Sequence, residues 1–168
     1  MSASEFSRMV DVRTAGQEAL VLKASTEEAA ALARRFDLVA IRNLRAELSL
    51  AVDGANVTAS GMLMGSIVQS CAISGEDLPM TIKEKVDLRF VPAHAIEAEE
   101  LELEEGDLDE IPYQGTTFDL GEAIAQSLAL AIDPYATGPQ ADLAREKAGL
   151  STPEASGPFG VLQALKKD

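Results

Sequence analysis

The sequence predicts an α+β fold, with a bent antiparallel sheet of about five or six strands carrying two main helices. Three observations lead to it. Apolar and polar residues alternate through 44–52 and again through 57–67, on either side of Asp53-Gly54. A further alternating run covers 82–90. Two stretches with helical apolar spacing open on capping signals, at Ser25 and at Asp119. Strand side chains repeat every two residues and helix side chains about every 3.6, so a change of period marks a change of element.

Residues 1–14 read as a weak first strand, because Phe6, Arg8, Val10 and Val12 do not alternate cleanly with their neighbours. Residues 18–23 are a second short extended run. Ser25-Thr26-Glu27-Glu28 is a capping box, in which the serine hydroxyl accepts the Glu28 amide and the Glu28 carboxylate reaches back. Ala29, Leu32, Ala33 and Phe36 follow at helical spacing, which predicts a helix over 26–36. Arg34 and Arg35 sit in its last turn, where the helix dipole favours cations.

From Val39 the period becomes two. Leu44, Ala46, Leu48, Leu50 and Val52 take one face, and Arg45, Glu47 and Ser49 the other. Asp53-Gly54 supplies a tight turn, and Val57 to Ile67 resume the alternation as the second arm of a hairpin. Gly61 and Gly65 predict a bulge or sharp bend in this arm, which would let the sheet curl toward a partial barrel. The strand ends near Cys71, and Ser74-Gly75-Glu76-Asp77 is turn chemistry. Ile82, Val86, Leu88 and Phe90 then alternate with Lys83, Lys85, Asp87 and Arg89, with Glu84 intruding on the apolar side. Pro92 ends that strand.

Residues 97–110 hold nine acidic side chains and no basic one: Glu97, Glu99, Glu100, Glu102, Glu104, Glu105, Asp107, Asp109 and Glu110. Such a block repels itself and reads as a solvated loop. A short strand over 115–118 follows. Asp119 and Glu122 form a second capping-box pattern, opening a helix whose buried stripe is Leu120, Ala123, Ile124, Leu128, Ala131 and Ile132. Pro134 closes it. The chain thus reads as one domain over 1–135 and a flexible, Gly- and Pro-containing tail over 136–168, with a terminal amphipathic segment at 158–167.

Composition narrows the function. A chain of 168 residues suits a single domain of ordinary size. Its 28 acidic against 14 basic residues leave a net charge of −14, the sign that repels a polyanion on average, so a positive face would have to be local. One Cys excludes an internal disulfide and a four-Cys zinc site, and one His disfavours His-rich metal centres. No signal-peptide pattern and no apolar run of membrane-spanning length is read, so a cytoplasmic location without membrane contact is expected. No phosphate-binding loop, dinucleotide fingerprint, zinc-protease helix or nucleophile elbow occurs. A non-enzymatic protein with no cofactor, no bound metal and no small-molecule substrate is therefore the expectation.

The candidate site residues are charged. Lys83, Lys85 and Arg89 share one strand face, and Arg42 and Arg45 lie on an earlier strand; together they would make a positive patch able to meet phosphates. The alternative is cross-strand pairing of these cations with Glu47 and Asp87. No aromatic is interleaved, so base stacking is not supported. The acidic block is either a solvated loop or a negative surface that holds a basic partner. Cys71 reads as a small buried hydrophobe, against the alternative of a reactive or RNA-contacting thiol. His94 reads as a surface residue.

The order of features also carries a resemblance. Val68-Gln69-Ser70-Cys71 ends one strand and Phe90-Val91-Pro92 ends the next. An acidic insertion follows, then Phe118-Asp119-Leu120 opening a helix that runs to Leu128-Ala129-Leu130-Ala131-Ile132-Asp133-Pro134. Pro158-Phe159-Gly160-Val161-Leu162-Gln163-Ala164-Leu165-Lys166-Lys167 closes the set. This resembles the YceD family, the large ribosomal RNA subunit accumulation proteins, best from about Gly61 to the C-terminus. The resemblance implies a bacterial or plastid protein that supports large-subunit rRNA accumulation or processing and ribosome biogenesis without catalysis. Its partners would be precursor rRNA, an assembling particle or a ribosomal protein. Gln69 and Cys71 match the family pattern without an assigned role. The cysteine-rich segment that many relatives carry before the final Pro-Phe is absent from 149–157, so the resemblance implies no metal here. A reading from a different class is an adaptor or assembly chaperone for another complex, docking through the Asp119 helix and the 158–167 segment.

Overall fold

A computed structural model describes residues 4–16, 19–93 and 109–149. In chain order its elements are β1 (Met9–Asp11), β2 (Ala19–Lys23), α1 (Thr26–Arg35), β3 (Ala40–Asp53), β4 (Asn56–Ser70), β5 (Asp77–Pro92), β6 (Asp109–Tyr113), β7 (Thr117–Asp119), α2 (Leu120–Ala131) and α3 (Ala141–Lys147). Five strands form one sheet in the order β2-β3-β4-β5-β6, and β1 pairs with β7 in a two-stranded ribbon. The class is α+β, as the alternating and helical periods predict. The chain divides into two compact units, Met1–Val68 with Pro79–Ile132, and Gln69–Leu78 with Asp133–Asp168.

In the first unit the β3–β4 hairpin is in register from Asp53↔Asn56 back to Asn43↔Ser66. Gly54, at the first of the two loop positions, has φ 63, which an L side chain rarely adopts. The predicted bulge lies on the other arm. The register shifts between Ile41 and Asn43, so Arg42 is the extra residue, while Gly61 and Gly65 keep their partners Leu48 and Leu44. The shift keeps Ile41 and Leu44 both buried and turns both Arg42 and Asn43 outward. Gly61 answers a different need: a Cβ there would lie 1.9 Å from the Glu47 carbonyl oxygen.

The sheet is mixed rather than antiparallel. β6 pairs parallel with β5, Leu88↔Asp109 through Pro92↔Tyr113. A parallel neighbour needs a crossover of about a dozen residues or more, and the segment from Pro92 to Asp109 has that length. β6 therefore does not follow β5 through a hairpin turn. Among the described residues the sheet does not close, and β2 and β6 are its edges.

The inward rows of β3, β4 and β5 enter one apolar cluster with Leu32 of α1 and with Leu120, Ile124 and Leu128 of α2. α1 has the predicted capping box. Its other end is a Schellman closure, with Leu38 N–H to Ala33 O at 2.8 Å and Asp37 at φ 55 where glycine is usual. α2 has only half of its predicted box. The Asp119 carboxylate accepts the Glu122 amide, but Glu122 turns away to Arg35, at 2.7 Å, and to the Ser4 hydroxyl, at 2.6 Å. The N-terminal residues form a strap over α2. Phe6 is fully buried, and Asp119 also accepts the Arg8 amide and the Ser7 hydroxyl.

Candidate functional site

The sheet's two faces differ. Because Leu44 to Leu50, Val57 to Ile67 and Ile82 to Phe90 all point into one core, the intervening residues share the opposite face. α1 and α2 pack on the inward face. β4 contributes Thr58, Ser60, Met62, Met64 and Ser66 along its middle. β3 and β5 flank β4, about 10 Å apart at ordinary strand spacing. They bring Arg42, Arg45, Lys83, Lys85 and Arg89 to this one face.

Three of these five cations have carboxylate partners. Arg45 pairs with Glu47, Lys85 with Asp87 at 2.7 Å and Arg89 with Glu110 at 3.3 Å. Pairs this exposed contribute little to stability, but in each the carboxylate offsets the charge a phosphate would meet. Arg42 and Lys83 have no ion pair among the described residues. Sequence reasoning missed Lys23. It stands directly opposite Arg45 in the β2–β3 register, two like charges facing each other across a ladder. The alternation of residues 19–23 holds that signal only once the strand's partner is known. Arg45 Nε is buried and donates no hydrogen bond.

Of the nine acidic candidates, Asp109 and Glu110 open β6, and Glu110 is the partner of Arg89. Glu97, Glu99, Glu100, Glu102, Glu104, Glu105 and Asp107 lie outside the described residues, as do His94 and the 158–167 segment. Among the described residues no three His, Cys, Asp or Glu side chains are placed to hold a metal. No described helix is long and apolar enough to cross a membrane.

Gln69 and Cys71 belong to the second unit and do one job there. Gln69 is 6% exposed and donates from Nε2 to the Asp133 carbonyl at 2.7 Å. Cys71 Sγ accepts backbone amides from Ile73, Ser74 and Gly138 at 3.5, 3.3 and 3.3 Å. Burial pushes the thiol up, but hydrogen bonds from Ser74, Gly138 and Ile73 outweigh it and hold it at about 6. Ala72 N–H meets the Ala136 carbonyl at 3.0 Å, and Cys71, Leu78, Ala136 and Ala141 form a small apolar cluster. Residues 133–141 are thereby fastened to the Gln69–Leu78 turn, and α3 stands where the sequence reads only a loose tail. Cys71 is buried, as its residue type predicts, but as a hydrogen-bond acceptor rather than a plain hydrophobe.

These fastened positions fall in the stretch that a family model matches. The model is described as large ribosomal RNA subunit accumulation protein YceD, and it matches residues 59–166, more than half of the chain. The chain belongs to the YceD family. The match begins within β4 and takes in β5, β6, β7, α2 and α3, while the β2–α1–β3 portion lies before it. The family's description ties it to accumulation of the large-subunit rRNA. Comparison with curated proteins and with solved structures found no match.

Proposed function

We propose that this YceD-family chain is a non-enzymatic factor in large-subunit biogenesis that contacts precursor rRNA in an assembling particle through the outward face of its five-stranded sheet. The observation that carries this reading is the gathering of Lys23, Arg42, Arg45, Lys83, Lys85 and Arg89 on one sheet face of a protein whose net charge is −14. Glu47, Asp87 and Glu110 offset three of them, and Asp53 and Asp77 stand at the ends of the outward rows of β3 and β5, so the surplus is concentrated at Lys23, Arg42 and Lys83. Serine and threonine hydroxyls along β4 add uncharged donors for phosphate and ribose oxygens. Phosphate contacts of this kind position a protein on RNA without reading sequence, which suits a factor that acts on one large particle.

The test is gradient sedimentation of lysate, probing the fractions for the protein and sequencing bound RNA. Co-migration with immature large-subunit particles, lost on Lys23→Glu, Arg42→Glu and Lys83→Glu together, is the expected result. Co-migration that survives those reversals would remove the sheet face from the reading. A protein confined to light fractions, without rRNA, would favour the adaptor alternative.

A further inference from the structure

We propose that the groove between β5 and the C-terminal turn of α2 binds a basic, amphipathic segment of a partner protein. The open groove holds about 410 Å³ and is lined by Glu84, Val86, Leu88, Asp109, Leu130 and Ala131, together with the ion pair of Lys85 and Asp87. That volume lies within the ~300–1,000 Å³ range of ordinary ligand sites. Lys85 and Asp87 offset each other, and three further features leave the groove negative. Glu84 occupies a core-facing position in the β5 alternation, between Ile82 and Val86, yet is exposed, so a carboxylate stands where an apolar residue is expected. Asp109, exposed at the start of β6, sits on the same rim. Neither has an ion pair among the described residues. The last turn of α2 carries no basic residue, so the negative end of its dipole opens here uncompensated.

The groove also has an apolar part. Val86 and Leu88 are buried in its floor, and Leu130 on its rim is 84% exposed. A lysine or arginine side chain satisfies both demands, laying its methylenes on Leu130 and its charged head between Glu84 and Asp109. Charge selects among occupants. RNA phosphates carry the sign the groove repels. A second copy brings another −14, and the chain's own acidic residues 97–107 are equally mismatched. A basic segment with apolar residues at helical spacing remains, and a partner's must outcompete the chain's own 158–167, where Lys166 and Lys167 follow Leu162 and Leu165. Lys166→Glu with Lys167→Glu is expected to leave binding of a basic peptide unchanged, and a marked gain would overturn the partner assignment. This inference differs from the sheet-face reading in its ligand, although Lys85 borders both the groove and that face, and its test contains no RNA.

The experiment titrates the full-length protein into a fluorescein-labelled amphipathic peptide of lysine and leucine and follows anisotropy. A lysine-only peptide and a glutamate–leucine peptide serve as controls. The lysine–leucine peptide is expected to bind more tightly than both. Glu84→Lys with Asp109→Lys is expected to weaken it about tenfold, the scale of two half-exposed ion pairs lost and reversed together. Leu130→Ser is expected to weaken it while leaving the weak lysine-only binding unchanged. Amide chemical shifts of wild type should move at Val86, Leu88 and Leu130 on addition of the peptide, a readout independent of any variant's folding. Equal binding of the lysine-only peptide, insensitivity to the groove variants, or shifts confined to other residues would each overturn the proposal.

Discussion

Gly121→Ala puts the N-terminal strap to the test, and it inverts the usual sign. In a helix, replacing glycine by alanine normally stabilises by about 0.5–1 kcal/mol, because glycine loses the most backbone freedom on folding. Here a Cβ on Gly121 would stand 2.5 Å from Phe6 O, 2.7 Å from Arg8 N and 3.0 Å from Ser7 C. All three are backbone atoms, so no side chain can rotate out of the way. The strap must lift, and it would surrender the burial of Phe6, roughly 1.5–3 kcal/mol. It would also loosen the bonds of Asp119 to Arg8 N and Ser7 Oγ and of Leu120 N to Arg8 O, about 1 kcal/mol each. Partial relaxation and the helical gain offset part of this, leaving about 3 kcal/mol of destabilisation. At ~2–4 °C per kcal/mol for a chain of this size, Tm should fall by roughly 6–12 °C. Thermal unfolding reads that shift. A cycle with Phe6→Ala assigns the cause: if both changes detach the same strap, their combined effect falls short of the sum by about 1 kcal/mol or more. A Gly121→Ala protein as stable as the parent would refute the reasoning.

Four further outcomes are expected. Gln69→Leu removes the bond to the Asp133 carbonyl, and hydrogen exchange should show faster amide exchange at residues 136–148 with little change in β3 and β4. The Cys71 thiol, ordinarily near 9.0, is lowered to about 6 in the folded chain, so the unfolded chain binds the extra proton between those values. Stability should therefore rise with pH from about 6 to 9, and urea titrations of Cys71→Ala should lack that rise. Glu28, hydrogen-bonded to Arg8, and Glu122, hydrogen-bonded to Arg35, both titrate at about 2 instead of 4.5. Their contribution is complete above about pH 4.5 and is lost as pH falls through 2, an acid limb that Glu122→Gln should flatten. On the sheet-face reading, binding of large-subunit rRNA should weaken with salt, and reversing Lys23, Arg42 and Lys83 should reduce the log–log slope by about 2–3.

The elements whose signals are local were legible in the sequence. Ser25 and Glu28 lie three residues apart, and the capping box is present as read. Asp53-Gly54 set the hairpin, and the Leu44–Leu50 and Ile82–Phe90 rows told the buried face from the open one, which sufficed to place Arg45, Lys83, Lys85 and Arg89 together. What escaped depends on partners far along the chain. The direction of β6 follows from where the crossover returns, and no residue of Asp109–Tyr113 encodes it. Arg42 became the bulge residue through its offset against Ile67 and Ser66, whereas the visible signal, Gly61, answers to the Glu47 carbonyl across the ladder. Glu122 looked like a capping residue because its spacing from Asp119 is right, but Arg35 and Ser4, both remote in sequence, outbid the nearby amide. The second unit hid most completely, because its ties are single hydrogen bonds to Asp133, Ala136 and Gly138 from residues more than sixty positions earlier.

On the proposed reading, the net charge of −14 and an rRNA-facing surface are compatible because they act over different distances. At physiological salt the Debye length is about 8 Å, so carboxylates on the far side of the sheet are largely screened from a phosphate at Lys83. They still oppose loose, orientation-independent association, which depends on the summed field at longer range. An acidic protein with one positive face therefore binds RNA only in the orientation that puts that face first, and it coats RNA poorly. Raising the net charge while keeping every cation of the face should expose this division. Neutralising Glu97 to Asp107 with glutamines leaves Arg42 and Lys83 unchanged, yet should increase binding to unrelated RNA more than binding to immature large-subunit particles. Filter binding to both substrates at one salt concentration measures that ratio, and an equal gain for the two would mean that the sheet face contributes no selectivity.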